Sequence, residues 1–450
     1  MLYYRRLIDE QLIEWKDAAN RKPLLIRGAR QVGKSTAVRE LGKKFKHYVE
    51  INLERQQSLK KLFTEDVDVK KTCTNLSVVL SIPIIPGETL LFIDEIQSCQ
   101  PAIRALRYFM EDYPELHVIA AGSLLEFALE ELPSFAVGRI RSLYMYPFSF
   151  DEFLLAQGLG LQVEAKNGAT ADNPLVEPLH TQMKEQMRAF MLTGGMPAAV
   201  TEWVERGDYA EVRRVHNDII DTYRDDFSKY KKRVSPDLLR MVLNSVVHQC
   251  GNKFVYTQVS REVHSASIKE ALSLLALAGL ITPVTHTSGN GLPLGAEANT
   301  NYQKYLFIDT GLMLTMLGTP AADILLSTET DFVNKGSLAE MFAGLEMMKY
   351  GDCFVKPTMY YWQHMSRNGN AEVDYLTARE GRVLPVEVKA NTQGSMQSLY
   401  LFMHTHYLTE AVRTSLENFS QFDRPDPQDN RVARHIEVVP LYALRTLNNT

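Results

Sequence analysis

Residues 28 to 36 read Gly28-Ala29-Arg30-Gln31-Val32-Gly33-Lys34-Ser35-Thr36, which has the form G-x-x-x-x-G-K-[ST]. No other stretch constrains the fold as much, because such a loop works only between a buried strand and a helix. Gly28 and Gly33 let the backbone turn tightly and aim its N–H groups at phosphate oxygens. Lys34 is then placed to reach the β- and γ-phosphates, with the Ser35 hydroxyl on Mg²⁺. The helix that follows puts its positive end under the anion. The flanks supply the frame. Pro23-Leu24-Leu25-Ile26 is a short apolar run of the kind a buried strand needs, and residues 36–41 have helical character with Gly42 as a stop. The expected ligand is ATP with Mg²⁺, cradled by the nine residues from Gly28 to Thr36.

A second signal completes this site. Leu90-Leu91-Phe92-Ile93-Asp94-Glu95 is four apolar residues followed by two carboxylates, the Walker B pattern. A buried strand would carry Asp94 to the sheet edge to hold Mg²⁺, directly or through water, and Glu95 would orient and activate the attacking water. The other reading is two acids capping the helix at 100–110. Residues 47–53 and 116–121 are expected strands. The latter ends in Gly122-Ser123, where Ser123 either contacts the γ-phosphate or the water, or caps a helix. Gly138-Arg139-Ile140-Arg141 precedes another strand at 142–146. Either arginine can stabilise transition-state charge, in cis or from a neighbouring copy, or can form a surface ion pair.

Length bears on what surrounds this site: 450 residues predict about three domains. A formal charge of -5 gives the whole chain no pull towards nucleic acid or membrane, so any nucleic-acid contact needs a local basic surface. Residues 1–10 carry Arg5, Arg6, Asp9 and Glu10 and lack the apolar core of a signal peptide. The apolar stretch 271–281 is too short to span a bilayer. Cys73, Cys99, Cys250 and Cys353 are far apart and form no C-x-x-C, as expected of free thiols in a reducing cytoplasm.

The middle of the chain divides into two expected regions after a P-loop domain at 1–150. In the first, 151–233, residues 155–178 are rich in Gly and Pro and predict a loop or insertion. Helices are expected at 179–192, 197–206 and 209–230, forming a lid beside the ATP site. Lys229, Lys231, Lys232 and Arg233 make either a solvated helix end or a phosphate contact. In the second region, 234–320, a helix at 238–249, an extended piece at 254–256, a helix at 267–279 and strands at 280–285 and 304–308 suggest a winged helix. Its candidate recognition helix carries Lys269 and Glu270 among mostly apolar residues, poor chemistry for reading phosphates or base edges. DNA reading and protein docking both stay open for it.

The last region, 321–450, holds the second chemical signal. Glu340 lies on an expected helix at 337–348. Residues 360–362 are strand-like, Arg367 to Asn370 form a turn, and 372–376 and 384–389 form a hairpin about Glu380-Gly381. Alternation puts Glu372 with Asp374, and Glu387 with Lys389, on one face of each strand. The hairpin brings Asp374 and Glu387 together as a hard-oxygen site suited to Mg²⁺, with Lys389 beside them to position or activate water. A solvated hairpin with alternating charges is the competing reading. His404 and His406 have no evident third ligand and read as surface histidines rather than a zinc site.

Several motifs occur in a fixed order: the phosphate loop, Leu91-Phe92-Ile93-Asp94-Glu95-Ile96-Gln97, Ala121-Gly122-Ser123, Gly138-Arg139 and Pro147-Phe148-Ser149-Phe150-Asp151-Glu152-Phe153. Together they resemble the prokaryotic AAA+-type ATPases that carry a C-terminal domain of uncertain function, over nearly the whole chain. The resemblance implies an α/β architecture with an ASCE-type parallel sheet. It also implies Glu95 as general base, Ser123 as a sensor-like residue and Arg139 as an arginine of the site. Gly194-Gly195-Met196-Pro197 also looks like the family. The D…E-x-K pattern of Asp374, Glu387 and Lys389, after Glu340 on a helix, resembles the restriction-endonuclease-like PD-(D/E)xK superfamily. That resemblance implies metal and catalytic roles for these residues, with Glu340 as the helix acid. Gln393, Gln397 and Tyr400 depart from the spacing of one nuclease subgroup. The resulting expectation is an ATPase coupled to a Mg²⁺-dependent nuclease acting on DNA or RNA. The alternative is a nucleotide-dependent switch whose nuclease-like domain binds a protein partner. AAA+ proteins often form rings, so a homo-oligomer fits either.

Overall fold

The structure, a computed structural model, describes residues 3–64, 68–122, 125–130, 138–230, 233–325, 336–366, 369–389 and 396–448. The chain forms two compact units. The first comprises residues 1–147, 277–279 and 352–356, and the second the remainder. The boundaries expected at 233 and 320 therefore do not separate compact bodies.

In the first unit α1 (Ile8–Asp17) is followed by β1 (Leu24–Arg27), α2 (Lys34–Gly42), β2 (His47–Asn52), α3 (Val69–Leu80) and β3 (Thr89–Asp94). Then come α4 (Gln100–Asp112), β4 (His117–Ala121), α5 (Leu125–Glu130) and β5 (Arg141–Tyr144). The five strands make one parallel sheet in the order β2-β3-β4-β1-β5. Every residue of β3 and β4 is buried, which is why their sequences are continuous apolar runs and do not alternate. The α4 stripe of Ala102, Ile103, Ala105, Leu106 and Phe109 closes a core with Leu91, Ile93 and Val118. β4 lies between the strand leading into the phosphate loop and the strand ending in Asp94. The carboxyl edge of the sheet thus presents Gly28, Gly122 and Asp94 on three adjacent strands.

The second unit begins with helices α6 (Phe150–Ala156), α7 (Gly160–Asn167), α8 (Glu177–Thr193), α9 (Pro197–Arg206), α10 (Tyr209–Asp226), α11 (Pro236–His248) and α12 (Ser265–Leu277). A hairpin of β6 (Ile281–Thr287) and β7 (Ala298–Phe307) leads to α13 (Thr310–Met316), α14 (Ala322–Leu325) and α15 (Gly336–Lys349). The chain then runs through β8 (Met359–Ser366), β9 (Gly369–Arg379), β10 (Arg382–Val388), α16 (Gln397–Thr405), β11 (Glu410–Ser415), β12 (Ser420–Asp426) and β13 (Asp429–Pro440). Among the described residues these strands make an eight-stranded mixed sheet in the order β12-β13-β11-β10-β9-β8-β6-β7.

Three sequence expectations change here. Residues 160–167 are helix, not loop. Gly160 opens α7 and Gly168 caps it, so both glycines punctuate an element whose Val163 and Lys166 are buried. The extended piece at 254–256 is replaced by a 3-10 turn, Tyr256–Gln258, and only the Phe254 N–H reaches the Gln303 carbonyl at 2.9 Å. The β6–β7 hairpin is no separate wing, because β6 also pairs in parallel with β8, Val284 opposite Met359.

The Pro147-to-Phe153 motif is an anchor. Ser149 and Glu152 close a capping box on α6. The Phe150 N–H donates to Glu346 at 2.8 Å. Asp151, fully buried, pairs with the equally buried Lys166 at 2.8 Å and accepts from Arg445 at 3.0 Å. The Gly194-Gly195 pair is a packing joint. A Cβ on Gly194 would lie 2.0 Å from Asp309 Oδ1, and the Gly195 N–H donates to Asp309 Oδ2 at 2.6 Å. Gly195 in turn accepts from the Phe148 N–H at 2.6 Å.

Candidate functional sites

The phosphate loop is built by backbone conformations that its sequence permits. Gly28 has φ 141° and a Cβ there would sit 2.1 Å from the Met145 carbonyl, so no side chain fits. Gln31 and Gly33 also take positive φ, 66° and 100°. No side chain caps the first turn of α2, which leaves its N–H groups directed at the loop for an anion. Lys34 is buried and donates to the carbonyls of Gly28 at 2.8 Å and Ala29 at 2.7 Å. Burial lowers its pKa to about 8 against the pull of Glu95 and Asp94.

Asp94 ends β3 and gathers oxygen and amide partners. Ser35 Oγ and Asn52 Nδ2 each donate to its Oδ2 at 3.2 Å. Burial, then the neighbouring Glu95, raises its pKa. The Ser35 hydroxyl and this carboxylate form the hard-oxygen set that Mg²⁺ prefers, so the residues present fit the ion. Glu95 follows in a left-handed conformation, φ 50°, that is rare for a residue with a side chain, and Gln97 donates to its carboxylate. A Cβ on Gly122 would meet Gln97 Oε1 at 1.9 Å, so a glycine is needed there for Gln97 to reach Glu95.

Two partners of this site gave no sequence signal. Asn52 arrives from the end of β2. Arg6, buried, donates to the Val32 carbonyl at 3.0 Å and the Tyr146 carbonyl at 2.8 Å, and so ties the loop from behind. Ser123 lies outside the described residues. The structure corrects the in-cis role considered for Arg139 and Arg141. β5 runs parallel to β1 with Arg141 opposite Leu24, so both arginines sit at the amino edge of the sheet. Gly28 follows the carboxyl edge, roughly 13 Å away at ~3.3 Å per residue. Arg139 is exposed and paired with Glu111 at 3.1 Å, and Arg141 stacks over Phe354.

The second unit gathers the C-terminal acids. The hairpin of β9 and β10 turns on Glu380 and Gly381, both at positive φ, with Arg379 opposite Arg382. Asp374 on β9 thereby reaches β10 and accepts from the Val388 N–H at 2.8 Å. Glu340, from α15, has ligand atoms within 4.8 Å of those of Glu372 and Asp374. Glu387 is 4% exposed, its Oε1 accepts from Lys389, and its buried Oε2 has no hydrogen-bond partner. Burial, then Asp374, pushes the Glu387 carboxyl up to about 8, and burial also raises Glu340. A bound cation reverses both effects, and a buried orphan oxygen beside a second carboxylate fits a hard divalent ion. One member was unforeseen: Lys304 on β7 bonds both Glu340, at 2.8 Å, and Glu372.

The remaining candidates are partnered. His404 pairs with the buried Asp426 at 3.1 Å, and His406 bonds the Ser288 carbonyl at 2.9 Å and packs on Phe402. Lys229 pairs with Asp226 and Arg233 with Glu270, while Lys231, Lys232, Arg367 and Gln393 lie outside the described residues. Among the described residues no helix is long and apolar enough to cross a membrane.

Residues 20–154 match the family model described as AAA domain. Residues 184–323 and 335–442 match two families each described as a domain of unknown function, DUF8612 and DUF4143. No curated protein matches the sequence. Among solved structures the chain is similar to the Walker-type ATPase PABY2304 of Pyrococcus abyssi, at 16% identity over 70% of this chain and 96% of that one, with a TM-score of 0.45. It is also similar to the RuvB Holliday junction branch migration motor of Thermotoga maritima, at 14% identity over 61% and 88%, with a TM-score of 0.29. The phosphate loop, the parallel sheet that carries it and the match over residues 20–154 make the first unit an AAA-type P-loop ATPase domain.

Proposed function

We propose that this protein hydrolyses ATP in its first unit and uses the nucleotide cycle to control a Mg²⁺-dependent, phosphodiester-cleaving site in its second, with nucleic acid as substrate. In the first unit Lys34 and the loop amides hold the phosphates, Ser35 and Asp94 hold Mg²⁺, and Glu95 orients the attacking water. The ion, when bound, offsets charge on the β- and γ-phosphate oxygens. Replacing Lys34 by Ala removes a charge-assisted contact to phosphate of about 1.5–3 kcal/mol. ATP should then bind about 10- to 100-fold more weakly in a fluorescent-nucleotide titration, and unchanged affinity would remove Lys34 from the site.

The observation that carries the second half is Glu387. Its buried Oε2 has no protein partner, and it lies beside Asp374 on the strand that also bears Lys389. The element order supports the same reading: α15, the β8–β9–β10 meander, α16, then β11 parallel to β10. This is the αβββαβ order that the nuclease-like resemblance implies. In this reading Asp374 and Glu387 hold the ion, whose chemistry is activation of a water nucleophile. Lys389 is 24% exposed at its side chain and can turn from Glu387 towards a phosphate.

The test is cleavage of single- and double-stranded DNA and RNA by the full chain with Mg²⁺ or Mn²⁺, with and without ATP. Cleavage should fall to background in Asp374→Ala. A second reading, a nucleotide-dependent switch that docks a protein, draws on α12, whose Glu270 is ion-paired with Arg233 on a helix otherwise mostly apolar. Full-chain protein that cuts no nucleic acid above the Asp374→Ala control, and whose ATP hydrolysis ignores every nucleic acid, would move the conclusion to that second reading.

A further inference from the structure

Lys304 belongs to β7, in register with Val284 of β6, and its side chain is 2% exposed. It extends into the carboxylate cluster of α15 and β9, where its ammonium bonds Glu340 and Glu372 and lies 5.0 Å from the centre of the Tyr361 ring. Burial alone would lower its pKa, but Glu340, Asp374 and Glu372 reverse that and hold it above the ordinary lysine value. The place where the ligand atoms of Glu340 and Glu372 converge is therefore already filled by a positive charge of the chain itself.

We infer that Lys304 is a resident cation of this site, standing where a second metal ion would otherwise sit, so that the cluster takes one divalent ion, on Asp374 and Glu387. The inference rests on the metal-site reading above. Charge supports it. Four carboxylates, Glu340, Glu372, Asp374 and Glu387, face two ammonium groups, Lys304 and Lys389. The phenols of Tyr361 and Tyr375 and the thiol of Cys250, also packed here, are held neutral by burial. With every carboxylate ionised the cluster carries two net negative charges, which one divalent ion neutralises and two would overshoot. Position separates the two lysines. Lys389 is partly exposed and neighbours Glu387 on its own strand, whereas Lys304 is sealed in and bridges two other elements. Lys304 is thus a positioning residue that fixes Glu340 and Glu372 and denies them to a metal.

The experiment counts Mn²⁺ bound to the nucleotide-free full chain by electron paramagnetic resonance, taking the ions lost in Asp374→Asn as those of this site. Wild type is expected to hold one such ion, and Lys304→Met two. Should Lys304→Met fail to fold, Lys304→Met/Glu372→Gln keeps the net charge and is expected to fold with one ion. Two Asp374-dependent ions in wild type, or one in a folded Lys304→Met, would overturn the role of Lys304 while leaving the metal site standing. No Asp374-dependent ion in wild type would overturn both the inference and the metal-site reading beneath it.

Discussion

Glu95→Gln is expected to bind ATP as the wild type does and to hydrolyse it about 10²- to 10⁴-fold more slowly, the usual loss when general-base assistance is removed. The geometry separates the two effects. The metal position belongs to Asp94, one residue earlier and bonded to Ser35 and Asn52, and the substitution leaves it in place. Glu95 instead leaves β3 in a left-handed turn, φ 50°, that points its carboxylate away from that set and towards Gln97. An amide of the same shape can still hydrogen-bond a water but cannot take its proton. Phosphate release under single-turnover conditions, beside a nucleotide titration, gives both numbers. A wild-type rate would assign the base elsewhere, and weakened binding would mean that Glu95 also shapes the metal position.

The second large effect is on stability. Asp151→Asn should cost about 3–5 kcal/mol, the range for removing one partner of a buried ion pair. Lys166 is fully buried and would be left facing an amide, with Asn167 Oδ1 at 2.6 Å its remaining acceptor. The double variant Asp151→Asn/Lys166→Met should recover most of the loss, because no buried charge then lacks a partner. The same pair sets a pH limit. Burial alone would raise the Asp151 pKa, but Lys166, Asn167 and Arg445 hold it below the ordinary 3.8. A carboxyl depressed in the folded state contributes stability that is present above 3.8 and is lost as pH falls through the lower folded value. Denaturant midpoints of wild type at pH 7 and below pH 4 should diverge more than those of the double variant. Equal divergence would show that another acid sets the limit.

The nucleotide site was legible in sequence because its chemistry is local. A phosphate loop and a strand ending in Asp-Glu are each contiguous, and the physics that requires them acts over a few residues. What escaped was non-local or depended on direction. Arg139 was correctly placed before a strand, but a strand's sequence does not say which edge of a parallel sheet its start occupies. Pairing Arg141 with Leu24 decides that. Helix α7 was obscured because Gly160 and Gly168 punctuate both loops and helix ends, and the buried pairing of Lys166 with Asp151 overrides their bias. In the second unit, alternation along β9 put Glu372 beside Asp374. Lys304 had no such signal: it sits on an edge strand 36 residues before Glu340, and only the β6–β8 pairing brings it in.

That pairing bears on how such a chain can be inherited. Because β6 joins β8 in one sheet, and β7 lends Lys304 to acids borne by α15 and β9, the stretch matched at 184–323 and the stretch matched at 335–442 share one charge-balanced centre. A gene fusion cut between them would hand its recipient Glu340 and Glu372 without their counter-charge. It would also hand over a bare strand edge at β8, open to pairing with other chains. The recombination unit that can move intact runs from the hairpin onward, across the gap between the two matches.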